Sequence, residues 1–137
     1  MKDKKCYKCG TDADLRPINP RNKNLNSCIC KNCQNIKAKL YYDKYKDIVF
    51  SHYGNVCSCC GESEILFLSI DHTNNDGHLD TNSNNKKVNG RHLYPKIAKL
   101  GFPNRYQLLC MNCNFGKRMN NGVCPHKTID TNNAYSV

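Results

Sequence analysis

Eleven cysteines in 137 residues constrain this chain more than any other feature, because eight of them fall into four C-x-x-C pairs. The pairs are Cys6 with Cys9, Cys30 with Cys33, Cys57 with Cys60, and Cys110 with Cys113. An odd total does not close into a disulfide framework, and the opening Met-Lys-Asp-Lys-Lys before Cys6 does not read as a secretory signal. The expected setting is therefore reducing and intracellular, where paired thiolates read as zinc ligands. No run of residues has the apolar length of a membrane span, so no membrane partner is expected.

Metal has to stand in for a core. Hydrophobic residues make up 39% of the chain with every cysteine included, and there is no tryptophan. A structural zinc site returns about 10 kcal/mol or more of binding energy as folding energy, enough to offset that deficit. The order of the pairs repeats: a knuckle closed by Gly10, a second pair at Cys30 and Cys33, then a knuckle closed by Gly61 and a second pair at Cys110 and Cys113. A glycine after the second cysteine lets the backbone turn so that its amides face the sulfurs. Two modules with two structural zinc ions follow, one held by Cys6, Cys9, Cys30 and Cys33, the other by Cys57, Cys60, Cys110 and Cys113. Cys28, Cys59 and Cys124 are left over and read as small buried hydrophobes or free thiols. Cys124-Pro-His126 has metal-ligand character but only two ligands, and reads as a tail packed near the second zinc.

Charge points to a partner. The chain carries 21 Lys and Arg against 11 Asp and Glu, a formal net of +10. Residues 1–50 hold twelve of the basic and five of the acidic side chains, so most of the excess lies in the first module. A polyanion, with nucleic acid ahead of an acidic membrane surface, is the partner such a balance fits. Each zinc held by four thiolates lowers the folded charge by about two units, which leaves the sign unchanged.

Between and after the knuckles the pattern gives a coarse layout. Ile36, Leu40, Tyr41, Tyr45 and Ile48 recur at helical spacing among lysines, predicting an amphipathic helix from about residue 32 to about 51. Knuckle, loop, knuckle and helix in that order look like a treble-clef zinc finger. The run Ile65–Ile70 predicts a buried strand ending in Asp71-His72; residues 73–90, rich in asparagine, predict a loop. Leu93, Ile97 and Leu100 mark a short helix stopped at Gly101, Tyr106–Leu109 a second strand, and Asn114 the start of a final helix.

Zinc coordination brings Asp71-His72 and Asn114 near one another. A carboxylate and an amide oxygen are hard donors suited to magnesium or manganese, while zinc takes the thiolates, so the two kinds of site do not compete. A neutral imidazole beside them is able to deprotonate water near neutral pH. Together these are the parts that phosphodiester hydrolysis requires.

The string Ile70-Asp71-His72 with Asn75-Asp76-Gly77, and the stretch from Gly101 through Cys110-Met-Asn-Cys113-Asn114-Phe-Gly-Lys117, resemble the HNH endonucleases. Within that family the likeness is to phage-type members with four-cysteine zinc sites and to phage recombination endonucleases. The resemblance covers residues 55–119 and implies a ββα-metal nuclease domain over 51–137, preceded by a treble-clef-like zinc module over 1–50, in a small α+β protein. Carried over, it makes His72 the general base, Asp71 and Asn114 ligands of a catalytic magnesium or manganese ion, and Lys117 and Arg118 contacts to phosphate. DNA is the implied substrate and a phage-infected bacterial cytoplasm the implied location. Relatives have an Asn just before the second strand where this chain has Arg105-Tyr106, leaving Asn104 or Gln107 as substitutes. Asn74 stands where junction-resolving relatives carry a further histidine, so junction resolution is not favoured over simple nicking. Lys37 and Lys44 on the first helix either track a phosphate backbone or solvate a helix that packs on the nuclease. The competing assignment is a non-catalytic zinc module that binds nucleic acid or a protein, and a homodimer stays open.

Overall fold

The computed structural model describes residues 4–18, 28–88 and 90–128, which leaves Pro20 of the first linker outside the described residues. The protein is a small α+β structure with two two-stranded antiparallel sheets and four helices among the described residues. It separates into two compact units, Met1–Lys44 and Tyr45–Val137, and the division falls inside the longest helix.

In the first unit, β1 (Leu15–Pro17) pairs with β2 (Cys28–Cys30), placing Leu15 opposite Cys30, and α1 (Lys31–His52) follows at once. The knuckle is closed by two backbone bonds: the Gly10 amide donates to the Cys6 carbonyl at 2.8 Å, and the Cys6 amide to that of Thr11 at 2.7 Å. Gly10 has φ +76, a conformation that a side chain strains. The core of this unit is Cys6, Ile29 and Cys30, with Leu15 and Cys33 packed against it. Two of those three buried residues are zinc-ligand candidates, so the cluster that would normally hold such a fold is mostly sulfur.

The second unit repeats the plan. β3 (Leu68–His72) pairs with β4 (Tyr106–Cys110), α2 (Leu93–Lys99) lies between them in sequence, and α3 (Met111–Met119) follows β4 directly. The last short helix is α4 (Pro125–Thr128). The Gly61 amide donates to Cys57 at 2.9 Å and the Cys57 amide to Glu62 at 2.8 Å, the same two bonds that close the first knuckle. Gly61 sits at φ +78, beside the +76 of Gly10. The match extends outward, since Tyr7 donates to the Cys28 carbonyl at 3.0 Å and Ser58 to that of Leu108 at 2.9 Å. Cys28 therefore occupies the position that Leu108 fills in the second module, and both are buried. That placement makes Cys28 the small hydrophobe expected of it.

Several expectations are refined. Ile65–Phe67 form a single 3-10 turn and the strand begins at Leu68, so Leu66 and Phe67 are exposed instead of buried. The apolar residues of α1 do not form an inward stripe: Ile36, Leu40, Tyr41 and Ile48 are exposed, and its buried residues are Val49 and Phe50. Those two belong to the second unit, where Phe50 meets Tyr94 edge-on at 5.9 Å, His52 stacks on Phe102 at 4.1 Å and the Tyr53 hydroxyl donates to the Pro103 carbonyl at 2.8 Å. The asparagine-rich loop is more ordered than its composition predicts, with a 3-10 turn at Gly77–Leu79 and a bridge between Thr81 and Lys87. No helix among the described residues is long and apolar enough to cross a membrane.

Leu108 is fully buried at the centre of the second unit. Leu108→Ala should lower the unfolding free energy by about 2–5 kcal/mol through the cavity it leaves, as read by chemical denaturation of the zinc-loaded chain.

Candidate functional site

Each second cysteine pair opens a helix, and its first sulfur caps that helix. The Cys33 amide points at Cys30 Sγ and the Cys113 amide at Cys110 Sγ, both at 3.4 Å. A thiolate at a helix N-terminus is favoured both by the unpaired amides and by the helix dipole. The sulfurs of Cys6, Cys9, Cys30 and Cys33 lie within 4.8 Å of one another, as do those of Cys57, Cys60, Cys110 and Cys113. Cys9 and Cys30 are 3.7 Å apart and so are Cys60 and Cys110. Thiolates about 2.3 Å from a tetrahedral zinc ion are separated by about 3.8 Å, whereas a disulfide is about 2.05 Å long. Both tetrads could thus hold zinc. One thiol in each tetrad is favoured to ionise, whereas burial and the sulfurs beside them raise Cys9, Cys33, Cys60 and Cys113. Burial opposes ionisation at Cys6, but the amides of Cys30, Cys9 and Lys8 outweigh it and bring the thiol down to about 6. At Cys57 the amides of Cys60, Cys110 and Cys59 overcome burial to the same value, about 6.

The second unit adds a polar cluster on β3. Neighbouring residues of a strand project to opposite sides, so Ser69 and Asp71 share one face and His72 lies on the other. On the first face α3 supplies the partners. Asn114 Nδ2 donates to Ser69 Oγ at 3.0 Å, which leaves the lone pairs of the amide oxygen available to a cation. Asp71 Oδ2 accepts from Lys117 Nζ at 2.7 Å and from Gln107 Nε2 at 2.8 Å, Gln107 being its cross-strand partner. Among the described residues Asp71 Oδ1 accepts no hydrogen bond. Gln107 also accepts from Ser58 Oγ at 3.1 Å, tying the strand pair to the zinc knuckle. Asn104, the other residue named for that position, accepts from Thr73 Oγ1 at 3.3 Å through its backbone carbonyl.

Lys117 is turned inward. It is 5% exposed, and beyond Asp71 its ammonium donates to the carbonyls of His72 at 2.6 Å and Thr73 at 3.2 Å. Its expected contact with phosphate gives way to a role in holding the end of β3 against α3. Arg118 is exposed, with its guanidinium 5.3 Å from the Phe115 ring.

On the other face, His72 Nε2 lies 2.6 Å from Asp80 Oδ2, and its ring lies 5.0 Å from that of Tyr106. Asp80 is 1% exposed and also accepts from Lys96 Nζ at 2.8 Å and from the Tyr106 hydroxyl at 2.8 Å. Burial disfavours its charge, but the bonds from Lys96, His72 and Tyr106 prevail and hold it at about 2, below its ordinary 3.8. An ionised carboxylate only accepts, so Nε2 of a neutral His72 carries the proton and Nδ1 carries the lone pair. Gly77 faces that nitrogen closely: a Cβ there would sit 3.0 Å from Nδ1. Asp80 and Lys96 lie outside the strings that carry the resemblance, and Gly77 and Tyr106 lie inside them without having been singled out as site residues. The sequence signal for Asp80 is slight, one of two carboxylates in an asparagine-rich stretch.

The other candidates make none of these hydrogen bonds. Lys37 is exposed in the first unit and lines a groove of about 350 Å³ with Tyr7, Lys8, Cys33, Ile36 and Leu40. Lys44 is exposed on α1. His78 is exposed, and His92 lines a cavity of about 430 Å³ with Thr81, Asn82, Lys87, Val88 and Lys96.

Comparison with family models, with curated proteins and with solved structures found no match. What the cluster can do therefore follows from its own atoms.

Cys30→Ser should release the zinc of the first unit, while Cys28→Ala should leave the zinc content unchanged. Elemental analysis of the purified variants distinguishes the ligand from its buried neighbour two residues away.

Proposed function

We propose that the chain is a metal-dependent DNA endonuclease of HNH type, with the second unit as a ββα-metal nuclease and the first as a basic zinc module that adds affinity for DNA. The observation that carries this reading is the pairing of His72 with the buried, ionised Asp80. A base oriented by a second group is what activation of a nucleophile requires. Here it stands at the end of a strand whose other face carries a carboxylate and an amide that each keep an oxygen available.

In this reading His72 Nδ1 takes a proton from water, the water oxygen attacks phosphorus, the phosphorus–oxygen bond to the leaving group breaks, and that oxygen gains a proton from solvent. Asp80 stabilises the imidazolium as it forms. Asp71 Oδ1 and Asn114 Oδ1 suit magnesium or manganese, and such an ion would supply positive charge to the phosphate and the leaving oxygen. Lys117 shares the Asp71 carboxylate, so affinity for the cation should be weak without DNA. Arg118, Lys37 and Lys44 are the proposed phosphate contacts. One observation favours the second reading, a non-catalytic binding module: the Lys117–Asp71 ion pair already neutralises the carboxylate that the cation would need.

Plasmid cleavage separates the two. The full chain should nick supercoiled DNA with magnesium or manganese and not with chelator, and His72→Ala should lower the rate by about 10²–10⁴-fold with zinc content intact. Asp80→Asn should lower the rate and displace its pH profile, because the amide no longer favours the imidazolium. Gly77→Ala should slow cleavage by crowding Nδ1. Cleavage unaffected by His72→Ala and Asp71→Asn would move the binding module ahead.

The contribution of the first unit is read by salt. Lys37→Ala and Lys44→Ala should each lower the slope of log affinity against log salt by about 0.9 on duplex DNA. An unchanged slope would assign those lysines to solvent.

A further inference from the structure

We infer that the second unit holds a binuclear zinc centre in which the Cys113 thiolate bridges two ions, so that the chain binds three zinc ions. The tetrad of Cys57, Cys60, Cys110 and Cys113 is one half. Cys59, Cys113, Cys124 and His126 form a second group whose ligand atoms also lie within 4.8 Å of one another. His126 Nδ1 is 3.3 Å from Cys113 Sγ and 3.7 Å from Cys124 Sγ. Ligands about 2.3 and 2.0–2.1 Å from a tetrahedral zinc ion are about 3.6 Å apart, so these are the edges of a metal site. A thiolate has lone pairs for two metals, and Cys113, 1% exposed, belongs to both groups.

The internal repeat acts as a control. Cys33 is the counterpart of Cys113, and Lys8 is the counterpart of Cys59 within the knuckle. Among the described residues the first unit gathers no second group around Cys33. The extra ligands are thus an addition to the shared plan, not a consequence of it.

The chain is also shaped to bring them in. After α3 the Gly122 amide donates to the Lys117 carbonyl at 2.8 Å, turning the backbone back along the helix. Pro125 then lies so near α3 that a Cβ on Gly116 would meet its Cδ at 3.0 Å. The Lys127 amide donates to the Cys124 carbonyl at 2.9 Å, setting His126 beside Cys113. The added ion is held by Cys59, Cys113, Cys124 and neutral His126, and it fastens α4 to the knuckle and to the start of α3. This assignment does not depend on the nuclease reading.

Zinc analysis of the full chain, after gel filtration against a weak chelator, should give three ions per chain. Two ions, with or without Cys59 and Cys124 recovered as a disulfide, would overturn the proposal. With ¹¹³Cd in place of zinc, two of the three resonances should be scalar-coupled to each other through the shared sulfur and the third should stand alone. Three uncoupled resonances would overturn the bridge. His126→Ala and Cys59→Ser should each reduce the count from three to two and leave the isolated resonance unmoved. A count of three in His126→Ala would remove that residue from the site.

Discussion

Everything in this protein depends on sulfur joining a knuckle to the first turn of a helix. In each unit the second cysteine pair supplies two of the four sulfurs that could hold zinc and caps the helix that follows, so strand, turn and helix are positioned by one cluster of atoms. A thiolate placed there satisfies an amide and meets the positive end of the helix dipole. This explains how a chain with so few buried apolar side chains keeps two ordered units. In the first, the cluster of Cys6, Ile29 and Cys30 would not hold a hairpin and a helix without the metal its cysteines could bind.

The two units show what one plan becomes under different demands. Their knuckles share the same backbone bonds, the same left-handed glycine and the same sulfur spacing. They differ in what surrounds them. The first puts its lysines on an exposed helix; the second lengthens the connection between its strands and places polar residues on both faces of β3. Cys28 and Leu108 show how loosely a thiol and a leucine are distinguished at a buried position with no metal in reach.

Local features were legible in the sequence. The knuckles, the helix after Cys30 and the strand before Cys110 follow from spacing within a few residues, and each lies where its pattern places it. What was hidden depends on contacts made across the fold. Lys117 reads as an exposed base on a helix until packing shows three oxygens around its ammonium. The exposure of Ile36, Leu40 and Tyr41 was hidden for the converse reason, because periodicity identifies a face without showing whether anything covers it. Asp80 is the clearest case, since its three partners come from β3, α2 and β4 and none is near it in sequence. The residues taken from the family resemblance, Asp71, His72 and Asn114, gather around β3, but on two faces of the strand, a division that a motif does not express.

Asp80 returns to the interior from a small closed loop. Val88 donates to its carbonyl at 2.6 Å, and Asn82 caps the far end by accepting from the amides of Asn84 and Lys86. Residues 82–87 are exposed. The His72–Asp80 pair is thus insulated from the length and composition of that tip. Here a descendant of this chain has room to graft a new recognition element while its hydrogen-bonded interior stays as it is, and drift in the tip carries no record of what the interior does.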